Sequence, residues 1–170
     1  MELITRYREW FAYERDCNTK MLAMLESVPD ANRQDERFGL AVALADHLVA
    51  CREKWLDVMQ GGDGGETPWR NENTELATLQ SRYTAMEEMW VVFLNSMNDD
   101  SLGSQFRFFE FDGEQFYLRM EIQIAQLLGH AQYHRGQIAL IVDQLGGEVV
   151  DTDYVDWWWY NIRTPTNLTG

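Results

Sequence analysis

The chain has 170 residues, the usual size of one compact domain, so a second independent catalytic domain is not expected. Apolar residues make up 45 % of the chain and aromatic residues 13 %, with only 3 prolines, which excludes a disordered or collagen-like protein. The 14 basic and 28 acidic residues give a formal net charge of −14, and this negative excess argues against binding to nucleic acid or to anionic membrane surfaces.

The N-terminal segment and the cysteine content bear on where the protein works. Charged residues recur throughout residues 1–16, so this segment lacks the apolar core of a secretory signal and a cytoplasmic location is expected. No apolar run in the sequence approaches the roughly 18 to 20 residues that a membrane-spanning helix needs. Cys17 and Cys51 are too few for a disulfide framework and are expected to be free thiols.

The first predicted helix extends from Leu3 to Val28, where apolar residues recur at alternating spacings near three and four. It is expected to end near Pro29, because proline lacks a backbone donor and restricts the residue before it. Glu14 interrupts the apolar stripe. A carboxylate tilted towards solvent at the edge of the stripe is the favoured interpretation, and a polar group that faces a site inside the bundle is the alternative.

A second helix is predicted from about Asp35 to Gln60, with a broad apolar face and a glycine pair, residues 61–62, that ends it. Residues 61–73 read GGDGGETPWRNEN, show no periodicity and are expected to form a surface connection. The third helix is predicted from about Thr74 to Met97, where the apolar residues follow the most regular heptad-like spacing in the chain.

Between Ser104 and Leu118 the apolar period changes to two around the pair Asp112-Gly113, which predicts a β-hairpin. A fourth helix is predicted from about Met120 to Leu145, before another glycine pair. The predicted fold class is therefore all-α, a four-helix bundle with a short β-hairpin between the third and fourth helices. The bundle and an aromatic C-terminal segment occupy residues 1–160, and residues 161–170 are expected to be a flexible tail.

The C-terminal segment is rich in large aromatic residues, namely Tyr154, Trp157, Trp158, Trp159 and Tyr160. Tyr154 and the three tryptophans either line the mouth of a site in the bundle or pack on the bundle or on a partner subunit. Packing is favoured, because aromatic side chains gain a large burial energy and are enriched at interfaces.

The three histidines are the strongest chemical signal in the chain. His130 and His134 are four residues apart in the fourth predicted helix, so their Cβ atoms lie roughly 5 to 6 Å apart on one face and both rings can bind one ion. His47 lies in a mostly apolar stripe of the second helix and is expected to face inward. Neighbouring helix axes are about 8 to 10 Å apart, so the three rings meet if the levels of the helices agree. The alternative is three separately satisfied histidines, one in the core and two on a solvated face.

Three neutral nitrogen ligands leave a coordination position open for water or substrate, which is typical of a catalytic metal site. Cys51, four residues after His47, is either a further ligand or a neighbour of the ligands, and the second role is favoured because a buried free cysteine usually behaves as a small apolar residue. A carboxylate-bridged di-iron site is excluded, since it needs glutamate three residues before its histidines, where this chain has Leu44, Leu127 and Ala131.

The motif HAQYHRGQI begins at His130, and its helix ends in Leu-Gly-Gly. Together with the lone inward histidine of the second helix, this pattern resembles the DinB/YfiT-like family of metal-binding four-helix bundles over roughly residues 1–160. The resemblance implies His47, His130 and His134 as ligands of a divalent metal ion, and it implies a homodimer. Zinc and nickel are the favoured ions and iron is an alternative, because imidazole nitrogens suit each of them.

Three other residues of the motif have expected roles beside the ligands. Arg135 is expected to form an ion pair near its helix rather than to bind substrate. Gly136 costs about 1 kcal/mol relative to alanine in a helix interior, which is tolerable if another group approaches closely there. Gln137 is expected to hydrogen-bond a ligand ring or a bound water molecule.

The family includes thiol-dependent S-transferases and isomerases, so the resemblance implies a metal-dependent enzyme that acts with a low-molecular-weight thiol on a small-molecule substrate. The first alternative is a hydrolase that uses metal-bound water, with Glu14 as the nearest candidate base. The second is a non-catalytic metal-binding dimeric module. A metal ion with an open position lowers the pKa of a thiol or of water equally well, so the residues alone do not choose between these functions.

Overall fold

The long helices occur where the apolar periodicity predicts them. The structure, a computed structural model, describes residues 2–65, 68–71, 74–109 and 113–163. Its α-helices and β-strands in chain order are α1 (Leu3–Ser27), α2 (Glu36–Met59), α3 (Leu76–Ser96), α4 (Asp99–Gly103), β1 (Gln105–Phe109), β2 (Gln115–Arg119), α5 (Met120–Gln144) and α6 (Tyr154–Asn161). The four long helices α1, α2, α3 and α5 match the four predicted helices, which confirms an all-α bundle with one short hairpin.

Each long helix buries one apolar face, and together these faces form the main core. α1 and α2 occupy diagonal positions, because each of them packs against both α3 and α5. The residues of α3 that the heptad-like spacing placed in the core are buried, among them Leu79, Met86 and Trp90. None of the helices in the described part of the chain combines the length and the apolarity that crossing a bilayer demands.

Glycines end the two helices that carry the histidines. Gly61 follows α2 with φ 95° and Gly146 follows α5 with φ 75°, a left-handed conformation that strains any residue with a Cβ atom. After α5 the N–H of Gly147 donates to the carbonyl oxygen of Val142 at 2.9 Å, which satisfies one of the last free carbonyl groups of the helix. Both stops are those that the sequence predicts.

The hairpin is preceded by a short helix that the sequence pattern does not predict. α4 has five residues, too few to show an apolar period, and Asn98 caps it by accepting a hydrogen bond from the N–H of Ser101 at 2.9 Å. β1 and β2 then pair antiparallel, with Phe106 opposite Leu118. Asp112, one half of the predicted Asp-Gly turn, lies outside the described residues.

The aromatic C-terminal segment forms a second unpredicted helix, α6, on the outside of the bundle. The rings of Tyr154 and Trp157 lie 5.1 and 5.7 Å from the ring of Tyr13 on α1, measured between centroids. Packing on the bundle is therefore confirmed for these two residues, and neither of them lines the cavity beside the histidines described below. Residues 164–170, most of the predicted tail, lie outside the described residues, so the boundary at residue 160 stays a prediction.

A buried ion pair crosses the bundle from α1 to α2. Glu14 and Arg52 are 2 % and 3 % exposed. The Nε atom of Arg52 donates to Oε1 of Glu14 at 2.9 Å, and Nη2 donates to Oε2, so the contact uses both carboxylate oxygens. The favoured expectation that Glu14 tilts towards solvent is therefore wrong. Its carboxylate stays within the apolar stripe because a guanidinium from the opposite helix compensates its charge.

Candidate metal centre

The three histidines come together where α2 packs against α5. His130 and His134 lie one turn apart on α5, with ring centroids 4.5 Å apart. The ring of His47 lies 5.0 Å from that of His130 and 5.2 Å from that of His134. The Nε2 atoms of His47 and His134 are 3.2 and 3.0 Å from Nε2 of His130. His47 on α2 therefore lies at the same height in the bundle as His130 and His134 on α5. The ligand atoms of the three rings lie close enough together to hold a metal ion.

Hydrogen bonds from the other ring nitrogens orient two of these rings. Nδ1 of His47 lies 2.6 Å from the main-chain oxygen of Trp69, and Nδ1 of His134 lies 2.7 Å from Oε1 of Gln137. Both partners are acceptors, so Nδ1 carries a proton in each ring, and in the neutral tautomer this leaves the lone pair on Nε2. The expected role of Gln137 is thereby confirmed.

The convergence of these lone pairs tests whether the residues suit a metal ion. The Nε2 atoms of His47 and His134 both face Nε2 of His130, and bare lone pairs repel one another unless a cation or a proton lies between them. Burial, followed by the proximity of His134, His47 and Arg52, lowers the pKa of His130 to about 4. The ring of His130 is therefore neutral at neutral pH. Three imidazoles whose Nε2 atoms converge, two of them with Nδ1 held by an acceptor, fit a divalent ion.

Asp46 holds the loop that carries Trp69 against α2 through hydrogen bonds. The side chain of Asp46 is buried, its Oδ2 atom accepts from the N–H of Asn71 at 3.0 Å, and its Oδ1 atom accepts from the hydroxyl of Thr74 at 2.8 Å. Arg82 of α3 also donates to Oδ1 at 2.5 Å. These contacts hold the loop in place, so the main-chain oxygen of Trp69 stays against the histidine of α2.

Cys51 lies beside the histidine cluster without joining it. Its Sγ atom is 3.6 Å from both ring nitrogens of His47, and it is not one of the converging ligand atoms. Burial raises the pKa of the Cys51 thiol to about 12, so the group is protonated at neutral pH. Cys51 therefore behaves as the small apolar neighbour that was favoured from the sequence.

Two expectations for the motif that follows His134 are wrong. Arg135 is buried, and in place of an ion pair with any described residue it donates from Nη1 to Oδ1 of Asn18 at 3.2 Å. Asn18 in turn donates to Glu87 at 2.9 Å, so the guanidinium belongs to a polar network in the core. Gly136 is exposed, and a Cβ atom there would meet nothing within 4 Å, so close approach of a described group does not explain this glycine.

A cavity of about 610 Å³ opens beside His47 and His130. Aromatic rings form much of its wall: the ring of Trp55 lies 6.2 Å from that of Trp69 and 5.5 Å from that of Phe108. The size and the apolar wall suit a small organic molecule. Among the described residues, the polar and charged side chains that line it, other than the histidines and the cysteine, are Lys54, Asp63, Gln123 and Gln126.

The loop between α2 and α3 contributes to the site in a way that its sequence does not predict. The sequence of residues 61–73 predicts a surface connection. Trp69 in this segment nevertheless orients His47 and forms part of the cavity wall. The orienting contact is made by a main-chain oxygen, which no residue type reveals. A large aromatic residue in a polar loop is the one signal that points to it. Residues 66, 67, 72 and 73 of this segment lie outside the described residues.

The fold and the site define a class of protein, a four-helix bundle in which two neighbouring helices bring three histidines together beside an open cavity. A family model described as the DinB family matches residues 3–165. The chain belongs to the DinB family, as the motif that begins at His130 indicates. Comparison with curated proteins and with solved structures found no significant match.

Proposed function

We propose that this DinB-family protein binds a divalent metal ion with His47, His130 and His134. We further propose that it joins a small thiol, through its sulfur atom, to an electrophilic carbon of an organic substrate. The observation that carries the proposal is the convergence of three Nε2 atoms beside an aromatic cavity. Family membership supports the same conclusion, because the chain matches the family over residues 3–165.

Zinc or nickel is the favoured ion and iron the alternative, since imidazole nitrogens suit all three. Such an ion, held by three neutral ligands, lowers the pKa of a thiol or of water at its open positions. The chain keeps the rings in place for that purpose: the main-chain oxygen of Trp69 and the side chain of Gln137 fix the tautomers. The cavity then holds the organic substrate next to His47 and His130.

The surroundings of the histidines favour thiol transfer over hydrolysis. Hydrolysis by activated water benefits from a base within hydrogen-bond reach. Glu14, the candidate base from the sequence, has both carboxylate oxygens bound to Arg52. Among the described residues that line the cavity, Asp63 is the one carboxylate, and its side chain is exposed. A thiol, whose sulfur is a strong nucleophile once its proton has left, has less need of such a base.

The sulfur comes from an external thiol, because Cys51 is buried and lies to one side of the ligand atoms. In the transfer, this sulfur forms a bond to an electrophilic carbon of the substrate. The bond between that carbon and its leaving group breaks, and the electron pair departs with the leaving group. The proton of the thiol passes to water.

Turnover of a defined pair of reagents tests the proposal. Protein loaded with zinc or nickel is incubated with 1-chloro-2,4-dinitrobenzene and with cysteine, glutathione or coenzyme A in turn. We expect thioether and chloride to form in equal amounts with at least one thiol, faster than without protein. His134→Ala should lose this rate and Cys51→Ala should keep it. Cleavage of p-nitrophenyl acetate without thiol would favour the hydrolase, and inertness of the fully loaded protein towards both reagents would contradict an enzyme.

A further inference from the structure

We infer that the cavity beside the histidines binds an organic anion, whose negative group meets the ammonium of Lys54 and whose polar group meets the side-chain amide of Gln123. This inference rests on the proposed function, because it names the substrate class of the same site. It needs no metal ion for its test, since Lys54 and Gln123 belong to the cavity wall and not to the histidine cluster.

Lys54 is a buried cation without an anionic partner. It is 7 % exposed, and its Nζ atom donates to the carbonyl oxygens of Gly64 and Gly65 at 2.9 and 3.1 Å. No carboxylate of the described residues lies within ion-pairing distance of this ammonium. Two carbonyl groups use two of its three N–H donors, so one donor and the full positive charge remain for a ligand. Buried charges in proteins are usually paired, and a bound anion would complete this one.

Gln123 is a second polar side chain in the wall of the cavity. It is 4 % exposed and lines the cavity from α5. Its side-chain amide makes no hydrogen bond with the described residues, although it offers two donors and one acceptor. The amide atoms are not among the fully buried side-chain atoms that lack a partner, so they reach the cavity and are available to hydrogen-bond a bound molecule.

The other charges of the cavity do not remove the need for an anion. Asp63 lines the cavity, but it is exposed, and its Oδ1 atom accepts from the N–H of Gly65 at 3.0 Å. Asp57 accepts from the N–H of Gly64 at 2.9 Å and is likewise engaged with the loop backbone. Among the described residues that line the cavity, Lys54 is therefore the one buried lysine, arginine or carboxylate side chain. An anion that reaches its ammonium gains a favourable electrostatic interaction.

The aromatic side chains of the cavity wall indicate the shape and polarity of the rest of the ligand. The Nζ atom of Lys54 lies 5.1 Å from the ring centroid of Trp69, so the cation and the flat aromatic surface are adjacent. Trp55 and Phe108 extend this surface. A ligand that satisfies both features has an apolar, preferably flat, body and a carboxylate or similar anionic group near one end.

Binding of two matched probes to metal-free protein tests the inference. The probes are 4-phenylbutyrate and its uncharged amide, 4-phenylbutyramide, titrated while tryptophan fluorescence is recorded, with calorimetry as a second measurement. We expect the wild-type protein to bind the carboxylate at least about tenfold more tightly than the amide, the effect of one hydrogen bond to a charged group. Lys54→Gln should abolish this preference, Lys54→Arg should retain it, and Gln123→Leu should weaken both probes.

The outcomes separate this inference from the proposed function. Equal binding of both probes by the wild-type protein, absence of carboxylate binding, or a preference that survives in Lys54→Gln would overturn the inference, even if the loaded protein transfers thiols. If Lys54→Gln does not fold, the comparison of the two probes on the wild-type protein and on Lys54→Arg decides by itself. An anion preference in a protein that shows no thiol transfer would leave the inference standing and would contradict the proposed thiol transferase.

Discussion

The side-chain oxygen of Gln137 lies 2.7 Å from Nδ1 of His134, three residues earlier on α5. This contact keeps the ring in the tautomer whose Nε2 lone pair faces the other two histidines. We therefore expect Gln137→Leu to weaken metal binding about tenfold to hundredfold, the usual cost of removing such a partner. Competition with a fluorescent zinc chelator measures the affinity.

Two variants control this prediction. Gln137→Glu keeps an acceptor at the same place and should retain the affinity, whereas Gln144→Leu changes an exposed glutamine at the end of the same helix and should have no effect. Metal affinity in Gln137→Leu equal to that of the wild-type protein would show that His134 does not depend on this partner.

Asp46 is expected to act on the metal site through the loop that it holds. Asp46→Asn keeps the size of the side chain but weakens its bonds to Arg82 and Thr74, which frees the loop that presents the oxygen of Trp69 to His47. We expect zinc affinity to fall about tenfold, within the range for lost partners of metal ligands. The same chelator competition measures it.

Glu53→Gln is the matched control for Asp46→Asn. Glu53 also binds Arg82, at 2.6 Å, but it makes no contact with the loop among the described residues. Its substitution should lower stability slightly and leave zinc affinity unchanged. An equal fall in affinity in both variants would assign the effect to Arg82 rather than to the loop.

The histidine cluster makes the metal-free protein sensitive to acid. The pKa of His130 is lowered from 6.5 to about 4, chiefly by burial. Between these two values the unfolded chain binds a proton that the folded chain does not, so the contribution of His130 to stability falls as the pH drops from about 6.5 towards 4. Urea unfolding of metal-free protein across this range measures the effect.

His130→Gln isolates this contribution from the titration of the carboxylates. The unfolding free energy of the wild-type protein should fall more steeply with acid than that of the variant. Parallel curves for the two proteins would mean that the pKa of His130 is not lowered in the folded state.

Gly136 offers a test on the outer face of α5. A Cβ atom at this position would meet nothing within 4 Å, so Gly136→Ala is expected to stabilise the protein by about 1 kcal/mol through helix propensity. Gly147→Ala should do the opposite, since its Cβ would lie 2.6 Å from a methyl group of Val142. Thermal unfolding compares the two variants, and destabilisation by Gly136→Ala would indicate that another chain covers this face.

The four long helices and the pairing of His130 with His134 could be predicted from the sequence, because both follow from local periodicity. Apolar spacing determined the extent of α1, α2, α3 and α5, and the spacing of His130 and His134 placed two rings on one face of α5. The height of His47 along the bundle relative to this pair could not be predicted, because it depends on how α2 packs against α5.

Other features escaped prediction for physical reasons. α4 and α6 are too short for a clear period, and the role of Trp69 rests on a main-chain atom. The inward position of Glu14 depended on Arg52, a partner 38 residues away on the opposite helix. The cytoplasmic location and the homodimer expected from the sequence and the family resemblance stay predictions.

The metal content of the purified protein decides whether the three histidines form a metal site. The protein is purified without an affinity-tag metal or a chelator and analysed by mass spectrometry for bound metals, together with His47→Ala and His134→Ala. We predict about one divalent ion per chain in the wild-type protein, as expected for one site with three imidazole ligands, and loss of that ion in both folded variants. A wild-type protein that takes up no divalent ion even from added zinc or nickel, or a variant that keeps the full amount, would contradict the account.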